Sequence, residues 1–191
     1  MKLISELKFG IWNAWILMIW QVLLPVFISA LLNKNRISSR LFASAPAKHG
    51  KLMDIASMVL LVVSVIYSIF LPIRYATIWF FPGLSIFILA LVISFTAIFA
   101  LKHAKIDKPF TNGMYRCSRH PFYLSMGLMY IGATMISGSW VFLIFTMLFI
   151  IQIIIAAPIE ERDCLKIYGK EYQEYMDSTP RWVGLPRPGT H

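Results

Sequence analysis

FYLSMGLMYIGATMISGSWVFLIFTMLFIIQIIIAAP, from Phe122 to Pro158, is the stretch whose reading decides the fold. It is apolar throughout and interrupted once, at Ser137-Gly138-Ser139. Turn residues at the centre of so apolar a run divide it into two helices, 122–137 and 139–158. Runs of this kind match the hydrocarbon thickness of a bilayer rather than the core of a small soluble domain. The first helix of the pair is short, which predicts a hairpin that is tilted or stops short of the far interface.

Three more apolar runs precede it, at 9–32, 53–73 and 77–101. At 1.5 Å per residue, the first crosses a hydrocarbon core of ~30 Å with some tilt. Lys2 and Lys8 ahead of it, and Ala43-Ser44-Ala45 beyond it, imitate a cleaved signal. The run is too long for the apolar part of a signal, and the small-residue site lies past a charged stretch, so a retained helix is expected. Only a short link containing Arg74 separates 53–73 from 77–101, which predicts an antiparallel hairpin. The whole chain thus reads as one domain, 1–191: an all-α integral membrane protein of about five transmembrane helices. The last two form a helical hairpin, followed by a cytoplasmic amphipathic helix in the tail 159–191.

Composition agrees. Apolar and aromatic residues make up 58% of the chain and charged residues 14%, against about a quarter charged in soluble domains. The net charge of +9 would suggest nucleic acid in a soluble protein. Here the basic residues flank apolar runs instead of covering one face, so anionic lipid headgroups are the expected counter-charge and no nucleic-acid partner is expected. Segments 33–52, 102–121 and 159–191 hold five Lys or Arg each, and the other three lie in the N-terminus and at Arg74. Basic residues mark the cytoplasmic side, which puts the N-terminus outside and the C-terminus in the cytoplasm. Two cysteines, Cys117 and Cys164, make no disulfide framework. The four histidines lack ligand spacing with each other or with cysteine, so no metal is expected.

Six of the nine acidic residues fall between Glu160 and Asp177. Leu165, Tyr168, Tyr172 and Tyr175 recur at three- and four-residue spacing, the face of an amphipathic helix that lies on the membrane or caps the loops. Pro158 is expected to break the helix entering this tail, and Pro180, Pro186 and Pro188 to end it.

Two segments are poorly explained by packing in a bilayer. The first runs Asn112-Gly113-Met114-Tyr115-Arg116-Cys117-Ser118-Arg119-His120-Pro121-Phe122-Tyr123. Pro121 suits the first turn of a helix, so the fourth span starts near His120 with its free N–H groups facing the cytoplasmic interface, a place for an anion. His120 and Tyr123 share one side of that turn, with Gly127 and Tyr130 below. The plainer explanation makes Arg119 and His120 interfacial anchors and Tyr123 part of an aromatic belt. The second segment is Glu160-Glu161-Arg162. Carboxylates so near hydrocarbon are costly unless paired or wet. The start of a tail helix accounts for Glu161, while Glu160 stands out by position. Asp54 reads as an interfacial neighbour of Lys51, and Asn13 and Gln21 as helix-contact residues.

Taken together, these residues resemble the membrane-embedded isoprenylcysteine carboxyl methyltransferases and their wider group, which includes phospholipid N-methyltransferases. The resemblance rests on Gly113-Met114-Tyr115, Arg119-His120-Pro121-Phe122-Tyr123, Glu160-Glu161, Tyr168-Gly169, Tyr172, Tyr175 and Pro180-Arg181, and covers about residues 98–186. It implies S-adenosylmethionine bound at the cytosolic face of the last hairpin, with contacts at Tyr115, His120, Pro121, Phe122, Tyr123 and Glu160. The loop Asp107-Lys108-Pro109-Phe110 stands where that family also lines the cofactor, which adds Lys108, Pro109 and Phe110. In this loop the chain departs from the eukaryotic pattern, and Ala156 stands where eukaryotic members have an Arg.

The chemistry suits such a cofactor. A sulfonium is a cation that Tyr115 or Tyr123 can face. Its carboxylate can meet His120 and the helix-start N–H groups, and Glu160 its amino group or ribose. No glycine-rich dinucleotide fingerprint is present. The implied reaction is methyl transfer to a lipid-linked acceptor, first the carboxylate of a prenylated cysteine. With a reference pKa of about 3.5, that group needs alignment and desolvation but no general base, and no catalytic dyad is evident. A phospholipid amine, the alternative acceptor, must lose a proton, to His120 or Glu160. Two other possibilities are an NADPH-dependent sterol-type reductase, suggested by Glu161-Arg162-Asp163-Cys164 and Lys166-Ile167-Tyr168-Gly169, and a non-catalytic membrane subunit.

Overall fold

The computed structural model describes residues 7–33, 50–101 and 108–184. Asp107, Pro186 and Pro188 lie outside them. The described residues form six α-helices and no β-strand. These are α1 (Trp15–Asn33), α2 (Gly50–Ile69), α3 (Phe80–Leu101), α4 (Pro121–Ser137), α5 (Trp140–Tyr168) and α6 (Lys170–Ser178), with a 3-10 turn at Gly113–Arg116 before α4. Two of them, α3 and α5, are long and apolar enough to cross a membrane by length and composition; Trp15–Ile28 and Met53–Ile69 form shorter apolar helices.

Beside an apolar core, hydroxyl side chains are buried while many branched apolar ones lie outside. Ser64, Ser94, Ser125, Thr134 and Thr146 are buried, while Val62, Ile66, Phe81, Ile88, Ile144 and Ile154 face outward. The inward hydroxyls pair with one another. Ser94 donates to Ser125 at 2.6 Å, Thr134 and Thr146 share a bond at 2.6 Å, and Ser64 meets the Tyr130 hydroxyl at 2.8 Å. Small and hydroxylated residues facing in, with branched apolar ones facing out, is the packing expected when the surroundings are as apolar as the core.

The tightest pairing joins α3 and α4. A Cβ built on Gly132 would lie 2.8 Å from the Gly83 carbonyl oxygen and 3.0 Å from the Phe87 Cβ. Only hydrogen fits there, and the two backbones use that space. The short link at Arg74 does not make an α2–α3 hairpin as expected: α2 packs on α1 and α5, and α3 on α4. The link is held elsewhere, with Arg74 N–H bonded to the Ile136 carbonyl at 3.2 Å and Ala14 N–H to the Leu71 carbonyl at 2.9 Å. Asn13 is not inside a span either. It precedes α1, and its side-chain amide donates to the carbonyls of Lys8 and Ile69 at 2.6 and 2.7 Å. Gln21 does make a helix contact, donating to the Met126 carbonyl of α4 at 3.0 Å.

The expected hairpin turn is present. Gly138 closes α4, its N–H on the Thr134 carbonyl at 2.8 Å, and Ser139 caps α5 through Phe142 N–H at 3.3 Å. Beyond it the expectation fails at Pro158, which sits inside α5 and does not break it. An apolar helix supported by neighbours tolerates the lost bond, and α5 runs 29 residues, about 43 Å at 1.5 Å per residue. It therefore outreaches a ~30 Å core by two to three turns, and its extension carries Glu160 and Glu161. The chain turns at Gly169, where φ is +55° and ψ −126°, a backbone state open to glycine at little cost. The tail is thus two helices, not one amphipathic helix, and α6 buries Tyr172 and Tyr175.

Replacing Gly132 by Val forces the Gly83 and Phe87 contacts apart. The expected cost is about 1–3 kcal/mol or more, as for overpacking a core, read as a lower melting temperature in detergent; Gly127→Ala, whose nearest neighbour stands at 3.4 Å, serves as the mild control.

Candidate active site

At the end of the bundle where α4 begins, the extension of α5 meets two other segments. These are the 3-10 turn with its following loop, and the strap 179–184 after α6. Pro121 is the first residue of α4, buried, with His120 as its N-cap. The first bond along the helix runs from Leu124 N–H to the His120 carbonyl at 3.0 Å, so the amides of Phe122 and Tyr123 form the unbonded helix start.

Glu161 is the centre of the cluster, only 2% exposed. Its Oε1 accepts from Arg119 Nε at 2.9 Å and Arg181 Nε at 3.0 Å, and its Oε2 from Arg181 Nη2 at 2.7 Å. His120 Nε2 lies 3.2 Å from the same Oε1. Arg119 Nη1 donates as well to the carbonyls of Met176 and Thr179, both at 2.7 Å, which are acceptors left open at the end of α6. Arg119 N–H bonds the Pro180 carbonyl at 3.0 Å and Gly184 N–H the Cys117 carbonyl at 3.1 Å; Ser118 Oγ donates to the Arg181 carbonyl at 3.2 Å. The Tyr175 hydroxyl donates to the Tyr115 carbonyl at 2.6 Å. One buried carboxylate thus fixes the loop, the α5 extension and the strap together.

Burial by itself would raise the Glu161 carboxyl. The hydrogen bonds from His120, Arg181 and Arg119 outweigh that and hold it well below the usual carboxylate range. The same pairing raises the Arg181 guanidinium. Burial, with the Glu160 charge second, raises the Tyr115 hydroxyl and pushes the Cys164 thiol up to about 12. A thiol so placed stays protonated at neutral pH and is no nucleophile.

Glu160 is the contrast. Its side chain is 44% exposed, with Oε2 3.6 Å from His120 Nδ1, and burial, with the Glu160 charge second, raises the Tyr123 hydroxyl. The His120 and Tyr123 rings stack at 5.5 Å and 5°, and Trp182 of the strap approaches His120 from 6.1 Å at 47°. Asp54, exposed on α2, acts on the Tyr123 hydroxyl through its charge.

The structure brings together Tyr115, His120, Pro121, Phe122, Tyr123 and Glu160 around the start of α4. Phe110 joins through Tyr115, their rings 6.2 Å apart, while Lys108 is exposed and Pro109 half-buried. The Arg119 side chain, 9% exposed, is held in the clamp by Glu161. Glu161 does not start a tail helix, because α5 is continuous through it. Glu161, Arg119, Arg181 and Trp182 are not among the contacts expected from the sequence, although the first three lie in the motif that carries the resemblance. Among the described residues no group of three or more His, Cys, Asp and Glu side chains could hold a metal ion.

Such a corner offers aromatic faces and an exposed carboxylate to a cation, and helix-start amides to an anion. Residues 78–171 match the family model described as phospholipid methyltransferase. The match begins just before α3 and ends in α6, so it includes the α3–α4 pair and both glutamates and leaves out Arg181 and Trp182. It supports the wider group of membrane methyltransferases, whose methyl donor is S-adenosylmethionine. No curated protein matches the chain.

Glu161→Ala leaves the Arg119 guanidinium buried without its counter-charge. Breaking a buried pair costs about 3–5 kcal/mol, less here because Arg181 is 39% exposed; the expected result is a lower melting temperature and faster amide exchange in 179–184. The wild-type clamp also resists acid. A depressed carboxyl contributes stability that is full above its unfolded value of about 4.3 and lost only as pH falls through the folded one. Amide protection of the strap should therefore persist from pH 7 to about pH 4.3, and its loss at pH 6 would refute the ionised clamp.

Proposed function

We propose that the chain transfers a methyl group from S-adenosylmethionine to a lipid-borne acceptor at the cytoplasmic membrane face, the acceptor being a phospholipid amine. The observation that carries this is the exposed Glu160 carboxylate, 3.6 Å from the His120 ring that stacks on Tyr123 at the start of α4. The residues fit the donor. Tyr115 and Tyr123 supply rings for a sulfonium, the Phe122 and Tyr123 amides suit its carboxylate, and Glu160 its amino group or ribose. When bound, the donor supplies an electrophilic methyl group. The chain's own work is to align the acceptor, exclude water and take up a proton where the acceptor carries one.

Charge favours the amine over the carboxylate of a prenylated cysteine. An anionic acceptor beside Glu160 meets like charge, Ala156 supplies no cation, and the guanidiniums of Arg119 and Arg181 are already engaged by Glu161. An ammonium headgroup meets complementary charge. The outward apolar faces suit a bilayer, and the basic residues suggest an N-terminus outside and a C-terminus in the cytoplasm. The lipid tail then enters sideways between helices and the donor from the cytosol.

Purified protein should be stabilised thermally by S-adenosylhomocysteine and not by NADPH, and Glu160→Ala or Tyr123→Ala should remove that stabilisation. Labelled methyl donor with ethanolamine-headed phospholipid should give base-stable product. Base-labile product from farnesylcysteine would identify the carboxylate as acceptor instead, and NADPH protection without S-adenosylhomocysteine protection would refute methyl transfer.

A further inference from the structure

His120 is held between two carboxylates, one at each ring nitrogen. Nε2 lies 3.2 Å from Glu161 Oε1 and Nδ1 3.6 Å from Glu160 Oε2. The two carboxylates differ. Glu161 already accepts from Arg119 Nε and from Arg181 Nε and Nη2, so it is ionised and can only accept. The proton in the His120–Glu161 contact must therefore come from Nε2. That fixes the neutral imidazole as the Nε2–H tautomer and leaves the Nδ1 lone pair facing Glu160. Its neighbours favour this orientation: Tyr123 stacks on the ring and Trp182 leans against it. Nδ1 and Glu160 Oε2 are then two acceptors with room for one proton between them, at the exposed side of the cluster.

We infer that His120 and Glu160 together form the proton acceptor for an ammonium-bearing lipid, and that Glu161 is a positioning residue that sets the tautomer of His120. The inference rests on the amine reading above. The ammonium nitrogen gives one proton to the Nδ1–Oε2 pair. Its freed lone pair forms the new N–C bond as the methyl–sulfur bond of the donor breaks, with that electron pair remaining on sulfur. The proton then leaves through exposed Glu160 to water. The charged and titratable groups facing the pair are Glu161 and Cys164 on α5, Tyr123 on α4, Tyr115 on the 3-10 turn and Tyr172 on α6, with Asp54 of α2 reaching it through Tyr123 and Arg119 and Arg181 through Glu161. The arrangement is that of a base oriented by a second carboxylate, as in hydrolytic triads.

Two measurements test it. In micelles, the neutral His120 ring, assigned by difference against His120→Gln, should show its proton on Nε2 by nitrogen NMR. In Glu161→Gln, whose amide can donate to Nε2, the proton should move to Nδ1. A wild-type ring protonated on Nδ1 overturns the inference. Turnover is then compared, at saturating donor, on two phospholipids: one with an ethanolamine headgroup, and one with a fluorinated ethanolamine headgroup whose amine is already neutral at the assay pH. Glu160→Gln and Glu161→Gln should each lose about 100-fold more on the first than on the second, within the range of general-base catalysis, because a weaker grip on the donor by the Glu160 variant lowers turnover on both lipids alike. Glu160 lies outside the Arg clamp, so its variant remains informative if Glu161→Gln fails to fold. Equal loss on both lipids overturns the proton acceptor and leaves amine methylation standing. Methylation of neither lipid by the wild type, with S-adenosylhomocysteine still bound, overturns the amine reading and this inference with it.

Discussion

A carboxylate buried at the end of a membrane-type helix bundle is stable only with donors around it, and the Glu161 site is built from that requirement. Its oxygens take two guanidiniums and an imidazole, and the donors come from the loop before α4 and from the strap. Arg119 holds the loop before α4 and, through the Met176 and Thr179 carbonyls, the end of α6. Arg181 holds the strap. Desolvation of a lone Glu at this depth would cost several kcal/mol; three charge-assisted contacts offset it, and in doing so they determine where His120 stands and which way its ring faces. The order of the site thus derives from an electrostatic constraint rather than from apolar packing.

The scaffold below obeys a different rule. Where the outside is apolar, hydrophobic burial cannot choose helix partners, and close approach with hydroxyl pairing does so instead. Gly83 against Gly132 and Ser94 against Ser125 align α3 with α4, and this pairing sets the position at which α4 begins. Thr134 on Thr146 then fixes α5 against α4, which places the α5 extension over the α4 start. Pro158 does not interrupt the transmission. Had α5 ended there, Glu160 and Glu161 would have belonged to a separate helix without a fixed phase relative to His120.

Much of this was legible in the residues. The break at Ser137-Gly138-Ser139 and Pro121 at a helix start follow from local rules, because each depends on neighbours within a turn, whereas the grouping of Tyr115, His120, Tyr123 and Glu160 is what the family resemblance implies. The errors have one physical origin. Whether Pro158 ends α5 depends on neighbouring helices, not on proline alone, and the wrong choice there erased the helical phase of the next residues. Adjacent helical positions point about 100° apart, so with the phase unknown, nothing local tells which of Glu160 and Glu161 faces inward. Read locally, Glu161 is a helix-start acid and Arg119 fits an anchor as well as a site residue. The α2–α3 hairpin failed similarly: the pinning of Arg74 to Ile136 is a contact across 62 positions of sequence that no periodicity encodes.

The two glutamates divide a task that one carboxylate could not perform. A group that orients an imidazole must stay ionised and immobile, whereas a group that exchanges protons with solvent must be exposed and free to change state. Burial with arginine pairing secures the first at Glu161; 44% side-chain exposure permits the second at Glu160. Successive residues on one helix achieve this because the 100° step turns one into the protein and leaves the other at its edge. A shift of one residue in the end of α5 would exchange the environments and abolish the distinction. The unbroken passage of α5 through Pro158 is thus what makes a pair of identical side chains chemically different.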